Sequence, residues 1–191
     1  MPAPAATFLE QVARRVLVLD GAMGTSLHAR DLPLSDYQGH ENCSEILNLT
    51  RPDAVADIHR SFLEVGCDAI ETNTFGANRV VLAEFGLANR TYDINVAAAR
   101  IARGVCVELA DPAQPRFVVG SVGPGTKLIS LRQIDYDTLL ASYLEQIRGL
   151  LDGGVDVLLI ETCQDLLQTK VAIEAARRAF EIGRASCRER V

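Results

Sequence analysis

The sequence lacks the marks of several function classes. It contains no CxxC and no HExxH, and His28, His40 and His59 are scattered, so no local zinc signature is present. Its five cysteines (Cys43, Cys67, Cys106, Cys163 and Cys187) are odd in number and far apart. That argues against a disulfide framework and for a reducing, cytoplasmic setting. No apolar run nears the roughly 20 residues of a membrane span. Residues 1–6 have no basic stretch followed by an apolar core, so no signal peptide is expected. Lys and Arg form no run outside the extreme C-terminus, and the net charge is −6, which speaks against a nucleic-acid partner. No Gly-Lys-Ser/Thr ending and no GxGxxG follows the first strand, so nothing points to a triphosphate or dinucleotide site.

What is present is an ordinary globular composition, 48% hydrophobic and 23% charged, with enough chain for one sizeable core. Residues 16–19 (Val-Leu-Val-Leu) read as a short buried strand. It delivers Asp20 to a turn in which Gly21 and Gly24 let the backbone approach a ligand with N–H groups free. Asp-Gly is also ordinary turn chemistry. A lead-in helix is expected over 8–15 and a long connection over 21–51, a length usual for functional loops. A helix to about 65 follows, with Thr50 as N-cap and Pro52 in its first turn. Further strands are expected at 68–72, 117–120 and 155–160. Helices are expected at 77–85, 92–109, 137–151 (with Leu140, Leu144, Ile147 and Leu151 on one stripe) and 165–180.

Strands alternating with helices imply a parallel sheet with strands buried on both faces. Residues 66–72 echo 154–162, and both segments close on Glu-Thr. In a (β/α)8 barrel alternate strands feed one interior layer, which would bring Glu71 and Glu161 to one mouth beside Asp20. A doubly wound open sheet accommodates the same element order. Polar or glycine-rich chemistry at every strand end favours the barrel, and four βα units amount to the N-terminal half of a TIM barrel.

With the strand ends placed, four motifs in order carry a resemblance. They are Asp20-Gly21-Ala22-Met23-Gly24-Thr25, Glu71-Thr72-Asn73-Thr74-Phe75, Gly120-Ser121-Val122-Gly123-Pro124, and Glu161-Thr162 followed by Asp165. Over residues 8–180 the chain resembles the homocysteine S-methyltransferase family. The segments 42–53 and 123–128 look most like its cobalamin-dependent, methionine-forming branch. The resemblance implies a (β/α)8 barrel that moves a methyl group onto the thiol of homocysteine. Zinc held by three cysteines makes the thiolate, and methylcobalamin, recharged by 5-methyltetrahydrofolate, supplies the methyl. Folate- and cobalamin-binding domains would follow in the same polypeptide.

The resemblance also assigns residues. Asp20 and Glu161 face the substrate ammonium, and the backbone N–H groups of Gly21, Met23, Gly24 and Thr25 face its carboxylate. Asn73 and Ser121 are candidate mouth residues. Glu161 could instead cap the next helix, and Asn73 could hold only its own loop. The zinc cysteines of the family lie later in the barrel, so no catalytic or metal-binding residue is expected in this stretch, and Cys43, Cys67, Cys106 and Cys163 read as small core residues. Two other functions stay open: a cobalamin-independent zinc methyltransferase using S-methylmethionine or betaine, and a non-catalytic amino-acid-binding half barrel. Residues 182–191 can be written codon for codon as a common sequencing-adapter sequence. The domain is therefore expected to span 1–180, with 181–191 a non-native tail and the chain itself an inactive fragment.

Overall fold

The computed structural model describes residues 7–111 and 113–188, with side chains as far as residue 181. The leader reading at 1–6 and the side chains of the tail beyond residue 181, Cys187 included, lie outside the described residues.

Three parallel strands form the sheet: β1 (Ala69–Glu71), β2 (Phe117–Val122) and β3 (Val157–Ile160). They lie side by side in chain order, with no reversal. Register is set by Ile70 opposite Val118 and by Val119 opposite Val157. The expected strand at 16–19 is reduced to one parallel bridge, Leu19 to Ala69. It is also far from buried, with Val16 85% and Val18 54% exposed. This segment has a partner on one side only, so its outward side chains meet solvent. Asp68 pins it in place: the carboxylate takes both Arg15 guanidinium nitrogens at 2.9 Å and the Val18 N–H at 2.9 Å.

The α-helices are α1 (Phe8–Val12), α2 (Met23–His28), α3 (Leu47–Thr50), α4 (Pro52–Glu64), α5 (Arg79–Glu84), α6 (Thr91–Glu108), α7 (Tyr136–Gly153) and α8 (Leu166–Arg188), with short 3-10 turns at Ser44–Ile46 and Ala88–Arg90. Side chains of α4, α6, α7 and α8 cover one sheet face. Ile70 and Val118 pack with Leu63, Ala102 and Val105, and Val122, Leu158 and Ile160 with Tyr143, Ile147 and Val171. Leu140 and Ile147 of the expected stripe are buried, while Leu144 and Leu151 pack at its margin. The opposite face is lined by Ala69, Phe117, Val119, Val157 and Leu159. Phe8 of α1 covers its lower end, edge-on to Phe117 with ring centroids 5.4 Å apart.

Several boundaries moved for local reasons. Helix α4 starts at Pro52 with Arg51 as N-cap, and the Thr50 hydroxyl instead donates back to the Ile46 carbonyl. Asn78 and Asp135 cap α5 and α7 by accepting N–H bonds from Val81 and Thr138. Thr7 and Glu10 form a capping box that starts α1, which ends at Val12, short of the expected 15. Helix α8 passes the expected end at 180, because residues 181–188 hold strong helix formers and a single glycine.

Candidate functional site

The carboxyl ends of the strands open into one cavity of about 400 Å³. Asp20, Gly21, Met23, Gly24, Asn73, Ser121 and Glu161 all line it, so seven of the eight residues singled out in the sequence meet there. Thr25 does not; it sits exposed in the first turn of α2. Glu45, Glu71, Thr72, Thr74 and Phe75 line it too.

Four carboxylates, from Asp20, Glu45, Glu71 and Glu161, face this space, and among the described residues no Lys, Arg or His lines it. Asp20 leaves the bridged segment with its side chain 4% exposed, and its Oδ1 accepts the Glu71 N–H at 2.8 Å. Burial pushes its carboxyl up to about 7, against the pull of that N–H bond and with the help of the Glu71 charge. Burial also raises Glu71, and the neighbouring Glu161 raises it further. Glu45 is raised by burial although its Oε1 accepts the Gly76 N–H at 2.7 Å. Glu161 does not cap α8. Asp165 does so, accepting from Leu167 N–H at 2.8 Å, and Glu161 Oε1 instead takes the Ser121 hydroxyl at 2.5 Å.

A closed ring of hydroxyls fixes the end of β2. Thr74 donates to the Ser121 carbonyl at 2.7 Å, and Thr72 Oγ1 accepts the Ser121 N–H at 3.1 Å. The 2.6 Å contact between the two threonine hydroxyls is therefore donated by Thr72. Gln146 of α7 supports the ring from behind, donating to the Thr74 carbonyl at 2.9 Å. A Cβ on Gly123 would stand 2.5 Å from the Phe75 carbonyl, so only glycine lets these two loops meet. The Asn73 amide is engaged with the protein: it donates to the Ser44 carbonyl at 2.8 Å, while Asn48 donates to the Asn73 carbonyl at 2.8 Å. It ties the loop after β1 to the turn before α3.

The start of α2, a few residues after Asp20, lines the cavity too. Ala22 is its N-cap in a left-handed conformation and offers no side-chain cap. Among the described residues, the N–H groups of residues 21–25 make no backbone hydrogen bond. The same cavity is thus lined by carboxylates and by residues whose backbone N–H groups have no backbone partner. A larger cavity of about 650 Å³ adjoins it and shares Gly24, Asn42 and Ser44.

Two acidic or basic groups of this neighbourhood escape a sequence reading. Glu45 lies in the segment quoted for the resemblance, but nothing in the pattern separates it from a solvated helix-start acid. His59 lies on the buried face of α4, behind Asp20, with Nδ1 3.9 Å from Asp20 Oδ2; a helical histidine carries no signal of that neighbour. Among the described residues no three His, Cys, Asp or Glu side chains gather to hold a metal ion. Cys43, Cys67 and Cys106 are buried free thiols and Cys163 a half-buried one. No described helix is long and apolar enough to cross a membrane.

A family model described as homocysteine S-methyltransferase matches residues 17–188. The chain is 50% identical over 172 residues to methionine synthase of Mycobacterium tuberculosis (strain ATCC 25618 / H37Rv) and 49% identical over 172 residues to that of Mycobacterium leprae (strain TN). Each match covers 90% of this chain and 14% of the relative, so the chain spans a small part of the length of these proteins. Among solved structures, the metallated form of the homocysteine methyltransferase MmuM from Escherichia coli is similar with a TM-score of 0.71 at 22% identity, over 88% of this chain and 61% of that one. Its oxidized form has the same TM-score over 87% of this chain and 60% of that one. At that identity the likeness is one of fold.

Proposed function

The chain belongs to the homocysteine S-methyltransferase family, and from that premise we propose that it is the substrate-gripping half of a (β/α)8 barrel in a polypeptide that methylates homocysteine to methionine. Strands in chain order with helices on one face support the half barrel, since a doubly wound sheet reverses its order at a switch point. The bridge at Leu19 marks where the first barrel strand would pair. Identity to long methionine synthases supports a methyl donor, methylcobalamin recharged by 5-methyltetrahydrofolate, bound by further domains of the same polypeptide.

One observation carries the reading: the cavity is lined both by carboxylates, with no Lys, Arg or His lining it among the described residues, and by residues with unpaired backbone N–H groups. An amino-acid zwitterion needs both partners close together, and here both line about 400 Å³. Asp20 and Glu161 take the ammonium, Ser121 orients Glu161, and Gly21, Met23 and Gly24 offer N–H groups to the carboxylate, with Thr25 at the margin. Asn73 positions the loop. The side chains described do not fit a zinc site, so activation of the thiol is assigned to none of them. When bound elsewhere in the polypeptide, zinc would supply the thiolate that accepts the methyl group.

Steady-state kinetics on the full-length polypeptide tests this. Asp20→Asn and Glu161→Gln should each raise KM for homocysteine by about tenfold or more, the worth of a hydrogen bond to a charged group. Wild-type KM in both variants would refute the assignment.

A further inference from the structure

His59 is a buried ionisable group that the proposed grip leaves without a task. It is 0% exposed on α4, and among the described residues neither ring nitrogen has a hydrogen-bond partner. Buried polar atoms nearly always have one, and leaving them bare is costly. Its α4 neighbours Val55, Ile58 and Leu63 are apolar core, and a leucine would fill the same space without that cost. Two facts give the ring a direction. Nδ1 is 3.9 Å from Asp20 Oδ2, just beyond hydrogen-bond reach. The other oxygen, Oδ1, is already held by the Glu71 N–H.

We propose that His59 is a positioning residue for Asp20: its neutral imidazole closes on Oδ2 and donates Nδ1–H when the ligand ammonium draws Asp20 into its ionised form. The inference rests on the reading of the cavity as an amino-acid grip and extends it inward. Burial holds the imidazole at about 4, so at neutral pH the ring acts as a neutral donor and not as a counter-charge. Burial raises Asp20 to about 7, so its charged form needs donors. With one donor on each oxygen, the carboxylate is fixed towards the cavity and keeps lone pairs for the ammonium. Closing the 3.9 Å separation to hydrogen-bond distance takes a shift of about 1 Å.

The test compares His59→Leu, His59→Asn and His59→Gln in the full-length polypeptide. The Asn amide nitrogen stands near the place of Nδ1, whereas the Gln amide stands near that of Nε2. Ligands are homocysteine and 4-sulfanylbutanoate, the same thiol acid without the ammonium. His59→Leu should raise KM for homocysteine about tenfold, with kcat at saturation within about twofold. Affinity for 4-sulfanylbutanoate should not change, and Asn should restore homocysteine binding better than Gln. Should the Leu variant fail to fold, the Asn–Gln contrast decides alone. Wild-type KM in His59→Leu, an equal loss for both ligands, or Gln rescuing as well as Asn overturns the proposal. Asp20→Asn, run beside them, separates the two claims. If it loses homocysteine while His59→Leu does not, the histidine assignment alone fails; if it binds as wild type, the grip fails and the histidine assignment with it.

Discussion

At the scale of the residue, Asp20 is an electrostatically costly choice. A carboxylate lowered into the mouth of a sheet, beside Glu71 and with one N–H bond, costs stability that a polar neutral side chain would not. The sign of its pH dependence follows. A folded-state value near 7 lies above the roughly 3.9 of an unfolded Asp, so the folded state holds the extra proton between them. Its contribution to stability is full below about 4 and is lost as pH rises through 7. His59 works the other way. Its value near 4 lies below the roughly 6.5 of an unfolded His, so its contribution is present above 6.5 and is lost as pH falls through 4. The two slopes oppose each other in the wild type, and substitution separates them. Asp20→Asn should gain on the wild type as pH rises from 5 to 8, with the Tm gap widening on the order of 5 °C. A gap independent of pH in thermal melts would contradict this. The same group predicts proton release on binding. Homocysteine calorimetry in buffers of different ionisation enthalpy should therefore show more proton release for the wild type than for Asp20→Asn, since loss of the thiol proton is common to both. Equal release by the two proteins would refute it.

At the scale of the element, the sequence is a good guide wherever local chemistry and tertiary packing agree. The chain order of strands, the stripe on α7 and the meeting of Asp20, Asn73, Ser121 and Glu161 at one mouth were all readable, because strand–turn boundaries place strand-end residues on one edge. Residues 16–19 mislead for a tertiary reason. Four apolar residues look alike whether a strand has one neighbour or two, and here only one side is paired among the described residues, which leaves Val16 and Val18 in solvent. Thr50 misleads for a local one: its hydroxyl bonds backward to Ile46 and leaves the cap to Arg51. Glu45 and His59 were not legible, since their roles come from what packs against them. Two helix and strand contacts can be tested. A Cβ on Gly153 of α7 would stand 2.5 Å from the Ala99 Cβ and 2.8 Å from the Val96 carbonyl on α6. Gly153→Ala should therefore cost about 1–3 kcal/mol by overpacking, measured by urea unfolding; an unchanged midpoint would show that α6 and α7 separate freely. Asp68→Ala removes the clamp on Arg15 and Val18, and amide exchange at residues 18–20 should speed up about tenfold or more. Unchanged exchange would mean the Leu19 bridge holds without it.

At the scale of the whole molecule, the helix-covered face and the opposite face are unequal. The helix side is packed from α4 to α8, whereas the far edge at β3 is half-buried throughout. A cavity of about 430 Å³ runs along that edge between Phe8, Leu9, Val157, Leu158, Ile173 and Phe180. Leu9 is 74%, Ile173 54% and Phe180 49% exposed. An unpaired strand edge beside exposed apolar side chains favours association. The 191-residue chain expressed alone should show concentration-dependent association by light scattering, reduced by Ile173→Glu; a monodisperse monomer at high concentration would contradict that expectation.

The proposed grip requires one cavity to hold both the ammonium and the carboxylate of a single ligand. Calorimetric titration of the wild-type full-length polypeptide with homocysteine, 4-sulfanylbutanoate and 3-sulfanylpropylamine tests it directly, since each analogue lacks one of the two charged groups. Losing either group should weaken binding by about tenfold or more. Equal affinity for homocysteine and the ligand without an ammonium would contradict it.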